Sequence, residues 1–188
     1  NKTPLILVVA DHGESYTEHG IIFDHGDDLY EPAMRVPLIL SGGGLPKGVR
    51  SSCLVSTIDI VPTVLEAVGL EDMGGLGRSL KSGLAISGVC PERYAYGSTV
   101  GDRSERPPIH HVIRGDKSKL IRFSSEDSRY FDLALDPMEE NGVQPGGYGK
   151  PALYLRQLEL RLGQGTAPRE REEGGEVLQR LKQLGYVD

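Results

Sequence analysis

The chain has 188 residues, 38% hydrophobic and 26% charged, with 21 basic against 27 acidic side chains and a formal net charge of −6. That length buries a real core, while an acidic balance without a basic cluster argues against nucleic acid or a polybasic membrane surface as partner. The longest purely apolar run, Leu5 to Ala10, is far short of the roughly 20 residues a bilayer-crossing helix needs.

Leu5-Ile6-Leu7-Val8-Val9-Ala10 is short, continuous and rich in β-branched residues. It predicts a strand buried on both faces, of the kind found inside parallel α/β sheets. A central strand seldom opens a chain, so the sequence reads as the second part of a larger protein. Alone, such a piece is expected to expose a sheet edge and apolar surface. Asp11 to Asp28 is polar and Gly-punctuated, a long functional loop. Leu29 to Met34 predicts a short helix, stopped by the restriction Pro37 places on its predecessor. Val36 to Leu40 predicts a second buried strand. Ser56 to Val68 is the clearest helix, with Asp59 as cap, Pro62 in the first turn, Val61, Val64, Leu65 and Val68 on one face, and Gly69 to end it. Strand, loop, strand and helix fit an α/β layer architecture.

From about Arg93 the pattern changes to short alternating runs at Tyr94 to Ser98, His110 to Arg114, Lys119 to Phe123 and Tyr130 to Ala134. With turn signals between them they predict a small antiparallel sheet. Gly142 to Pro151 reads as a linker. Two amphipathic pieces follow, one with Leu155, Leu158 and Leu162 on a face, the other with Val177, Leu178, Leu181 and Leu184. The expected organisation is therefore three parts, residues 1–92, 93–145 and 146–188. Cys53 and Cys90 allow one bridge or none, and the burial habit of cysteine favours two free thiols.

Asp11-His12-Gly13-Glu14 follows the first buried strand, and open α/β sheets gather ligands at the carboxyl ends of strands. Asp and His side by side offer a hard oxygen and a borderline nitrogen, suited to a divalent ion. Gly13 lets the backbone turn away sharply. His19-Gly20 and Asp24-His25-Gly26 follow, so three of the five His fall in one loop. A further His could complete a first metal or ligate a second. A polar surface loop, with Asp11 capping a turn, is the plain alternative.

The run from Asp11 to Leu40, DHGESYTEHGIIFDHGDDLYEPAMRVPLIL, resembles the metal-binding segment of the sulfatases within the alkaline phosphatase superfamily. The likeness continues in order through STIDIVPTVLEAVGL (56–70), GLGRSL (75–80), KLIR (119–122), YFDLALDPMEENGV (130–143) and LKQLGYVD (181–188). It implies an α/β fold: the C-terminal part of an alkaline-phosphatase-like sandwich, mostly parallel sheet flanked by helices, plus a small antiparallel sheet with a C-terminal helix. The implied activity is metal-dependent hydrolysis of sulfate esters. A phosphoester hydrolase or phosphoethanolamine-type transferase of the same superfamily, or an inactive remnant, are the alternatives.

Asp11 and His12 match the pair that binds the catalytic divalent cation, be it Ca, Mn, Zn or Mg. His25 matches a position that is His in two-metal members, where it would ligate as neutral imidazole or contact the ester as imidazolium. His19 matches a non-ligating position, and Glu14 and Arg35 read as braces for the loop. The resemblance places the nucleophile and the acidic ligands in an N-terminal half outside this chain, so no catalytic residue is assigned here and that half is the expected partner. Val89-Cys90-Pro91-Glu92-Arg93 is no substitute for the formylglycine signature Cys-x-Pro-x-Arg, because Pro91 directly follows Cys90. Family members commonly act in secreted, periplasmic or lysosomal settings.

Overall fold

The computed structural model describes residues 4–71, 74–83, 90–100 and 109–163. The chain divides into two units, residues 1–158 and 159–188. Of the second, only the last turn of a helix is described; the second amphipathic piece expected near its end lies outside the described residues.

The first apolar run forms β1 (Ile6–Val9), which pairs with β2 (Leu38–Ser41) in a two-stranded antiparallel sheet, Val8 opposite Ile39. The turn after β2 lies against Leu5 and against Ala67, a residue of the helix α2 (Ile60–Val68). The expectation of a strand covered on both faces is not met among the described residues: Ile6, Val8 and Ile39 are exposed. Two strands make a ribbon that can rest on its neighbours with one side only.

A 3-10 turn at Thr57–Asp59 leads into α2, which ends where Gly69 enters the left-handed region at φ 79° and Leu70 N–H returns to Leu65 O at 2.9 Å. This is the C-cap the sequence predicts. The face that α2 buries is different from the expected one. Pro62 and Thr63 are covered, while Val61 and Val68 are exposed. The reason is what packs there: Thr63 Oγ1 donates to Asp59 O at 2.6 Å and accepts from Leu80 N–H at 2.8 Å, at the start of α3 (Leu80–Gly83). Asp59, expected only as a cap, is fully buried and bridged by both terminal nitrogens of Arg93 at 2.7 and 3.0 Å. Cys53 and Cys90 are joined in a disulfide, correcting the expectation of free thiols.

The alternating runs form the antiparallel meander they predict: β3 (Ala95–Val100), β4 (Ile109–Arg114), β5 (Ser118–Arg122) and β6 (Ser128–Asp132), in that order. Period-two alternation gives this sheet two apolar faces. Ile113, Leu120 and Tyr130 meet Tyr154 and Leu158 of α4 (Gly149–Gly163). Val112, Ile121 and Phe131 meet Leu29, just before the short helix α1 (Glu31–Met34). The stretch expected as linker starts by adding to the sheet, with Val143 and Tyr130 exchanging both backbone hydrogen bonds at 2.8 and 2.9 Å. Among the described residues no helix is long and apolar enough to cross a membrane.

Candidate metal centre

Asp11 lies two residues beyond the end of β1, and the loop it opens is pinned to α1. Gly13 N–H donates to Ala33 O at 2.8 Å and Glu14 N–H to Pro32 O at 3.1 Å. A Cβ on Gly13 would lie 1.9 Å from Pro32 O. Glycine is therefore required by the close approach of two backbones, which replaces the sharp turn expected there.

Ser15 is fully buried. Its N–H and C=O pair with Asp24 at 3.1 Å each, and its Oγ donates to Asp28 Oδ2 at 3.1 Å. That bridge folds the loop back on itself and sets His25 beside His12, the rings stacked with centroids 4.0 Å apart and planes 11° apart.

The partners of the two rings fix their tautomers. His12 Nδ1 lies 2.8 Å from Gly13 O, and a carbonyl only accepts. His25 Nδ1 lies 3.1 Å from Glu14 Oε2. In a neutral ring so placed, Nδ1 carries the hydrogen and Nε2 the lone pair, the arrangement in which an outer carboxylate or carbonyl orients a metal-ligating histidine. Asp11 Oδ1 accepts from His12 N–H at 3.0 Å and lies 3.7 Å from His12 Nε2. Backbone N–H bonds, that of His12 first, hold the Asp11 carboxyl below its ordinary range, so it remains an anion at mildly acid pH.

The structure thus brings Asp11, His12 and His25 to one end of one loop. A carboxylate and two imidazoles suit a divalent cation in kind. Among the described residues no group of three or more His, Cys, Asp or Glu side chains is arranged to hold a metal ion by itself. The donors fit as one side of a centre. His19 stands apart, stacked on Tyr30 with centroids 3.5 Å apart. Glu14 braces His25 as described. Arg35 closes α1 through its N–H to Glu31 O at 2.8 Å, and its side chain lines a cavity of 260 Å³ with Glu18 and Met138.

Comparison with known proteins supplies the context for these three side chains. Residues 1–70 match the family model described as Sulfatase. A sulfatase of Formosa agariphila is 29% identical over 139 residues, covering 73% of this chain and 26% of that protein. Arylsulfatase K of Danio rerio is 40% identical over 81 residues, 43% of this chain and 15% of that one. A solved structure described as a complex with its substrate D-glucosamine-2-N,6-O-disulfate superposes with a TM-score of 0.64 at 28% identity, over 98% of this chain and 35% of that one.

Residues 1–70 carry the sulfatase family match, and the chain is similar to sulfatases over most of its length. It spans about a quarter or less of the length of these curated relatives, and its mixed helices and small antiparallel sheets form a partial α/β domain of the alkaline-phosphatase-like fold. Sulfatases generally use a divalent metal.

One constellation has no counterpart among the expectations from sequence. Lys119 is fully buried on the face of β5 that looks toward α1. Its Nζ lies 2.9 Å from Glu31 Oε1, 2.8 Å from Glu139 Oε1 and 2.9 Å from Leu29 O. Arg114 Nε joins Glu31 Oε1 at 3.1 Å, and Glu139 Oε2 accepts the N–H that begins α1 at 2.6 Å. Burial by itself raises the Glu31 carboxyl, but Lys119 and Arg114 outweigh it and hold the group below its ordinary value. The available signal was the strand period: Lys119 shares a face with Ile121, so it points inward wherever Ile121 does.

Proposed function

We propose that this chain is the metal-facing part of a divalent-cation-dependent sulfate-ester hydrolase, with Asp11, His12 and His25 as ligands from its side of the centre. The observation that carries this reading is the stacked His12–His25 pair, each ring held through Nδ1 so that Nε2 is the metal-binding nitrogen. The bound cation would polarise the ester oxygens and balance the charge that builds on them during attack at sulfur. Asp11 and the two imidazoles bind and orient that cation. Glu14 fixes the His25 tautomer, and α1 fixes the path of the loop. Residues 1–92 form the metal-facing layer in this reading and residues 93–145 brace it, with Tyr154 and Leu158 of the third part, residues 146–188, packed on the brace. The nucleophile and the acidic ligands come from outside these residues.

A second reading, phosphoester hydrolysis or transfer, is favoured by His25. Its pairing with Glu14 is how a neutral ligand for a second metal would be held. The test is metal content and turnover of the protein on a sulfate and a phosphate aryl ester. Asp11→Ala and His12→Ala are expected to lose metal and activity together; elemental analysis showing unchanged metal would overturn the ligand assignment. His25→Lys tolerated with one metal retained supports the sulfatase reading, whereas loss of one of two metals supports the phosphoesterase.

A further inference from the structure

We infer that Lys119 is a positioning residue for the metal-binding loop, acting through Glu31 and the backbone of α1; this rests on the proposed role of Asp11, His12 and His25. Lys119 is fully buried and ties together three parts of the chain: it donates to Leu29 O before α1 and forms ion pairs with the Glu31 carboxylate inside it and the Glu139 carboxylate after β6. The cluster is balanced, two cations (Lys119, Arg114) against two anions (Glu31, Glu139). Removing Lys119 leaves two neighbouring carboxylates short of charge, one of them buried, and the position of α1 is the variable that relaxes.

α1 is the wall on which the loop hangs. Its Ala33 and Pro32 carbonyls accept from Gly13 and Glu14, the two residues after the Asp11-His12 pair. Gly13 is already in the closest backbone approach to Pro32, so the loop has no slack to absorb a shift of the helix. Glu14 passes the same displacement to His25 through its Nδ1 bond. A lysine in the middle of the C-terminal sheet thereby sets the spacing of ligands that follow the first strand, without touching them. Groups bonded directly to a metal ligand, as Glu14 is to His25, typically contribute about 10-fold or more to metal affinity, and Lys119 acts through them.

The experiment compares Lys119→Met with Ile113→Ala in the full-length protein. Ile113 lies on the opposite face of the same sheet, in the cluster under α4, and serves as a control for general loss of stability. Two readouts are taken where each variant is folded: amide hydrogen exchange at Gly13 and Glu14 in metal-free protein, and Mn2+ affinity by titration. Lys119→Met is expected to speed both amides and weaken Mn2+ binding, each about 10-fold. Ile113→Ala should lower Tm and leave both unchanged. Unaltered exchange in folded Lys119→Met, or equal effects in the two variants, overturns the inference. If Lys119→Met does not fold, Glu31→Gln, which keeps shape and removes charge, is read in the same way. Failure of Asp11→Ala to reduce Mn2+ affinity would sink the metal reading instead, and the exchange readout would still decide the coupling.

Discussion

In the four-stranded sheet Val112, Ile113, Leu120 and Ile121 are fully covered, whereas in the β1–β2 pair Ile6, Val8 and Ile39 are 55%, 53% and 61% exposed. Both regions are made of the same kind of side chain. The difference is layers: the meander lies between α4 on one face and Leu29 on the other, while the ribbon rests on its neighbours with one side. The C-terminal sheet holds itself by packing; the N-terminal region relies on discrete ties, the Cys53–Cys90 disulfide and the buried Asp59–Arg93 bridge.

The largest expected effect of breaking this contrast is at the disulfide. It joins residues 37 apart, a loop whose closure is worth roughly 4 kcal/mol in the chain-entropy account. Cys53→Ser with Cys90→Ser is therefore expected to speed amide exchange in β1, β2 and α2 while β4 and β5 keep their protection. Uniform loss of protection would show that the two regions melt as one. Next is the core itself. Leu120→Ala should cost about 3 kcal/mol in urea unfolding, and Val8→Ala no more than about 0.5 kcal/mol. Equal costs would mean that β1 is covered in solution.

Below the cost at Leu120, and sharpest in pH, is the effect at Asp59. Burial raises its carboxyl, but the Arg93 guanidinium and the N–H groups of Arg78 and Ser56 outweigh burial and hold it below the ordinary carboxylate value. A carboxyl depressed in the folded state contributes stability above its unfolded value, and loses that contribution as pH falls through the folded one. Stability should thus drop below about pH 4. Asp59→Asn should cost about 2 kcal/mol at neutral pH and flatten that acid limb. An unchanged limb in Tm measured against pH would assign it to other carboxyls.

Much of the C-terminal sheet was legible because alternation reports directly on two covered faces: each of the four runs became a strand, displaced by two residues at most. Asp11, His12 and His25 stand out by residue type and company, and the Ser15–Asp24 bridge that sets the His12 and His25 rings together leaves no signal in the sequence. Where the reading went astray, it assumed neighbours. Val61 and Val68 form an apolar stripe that would be buried if something lay over it, and α3 packs on the Pro62 and Thr63 side instead. The Glu31, Lys119 and Glu139 cluster was hidden for a related reason. Its members are up to 108 residues apart, and each alone looks like an ordinary surface charge.

Gly13 separates two histories that a motif search would merge. In the proposed reading Asp11 and His12 are constrained by the metal they bind, and a descendant that abandons the metal is free to replace both. Gly13 is constrained by the Pro32 carbonyl, and that constraint persists after the chemistry is gone. Sequences that keep the glycine in this register while losing the acid and the imidazole would then mark chains in which the scaffold has outlived its reaction, and they could be recognised from that one position.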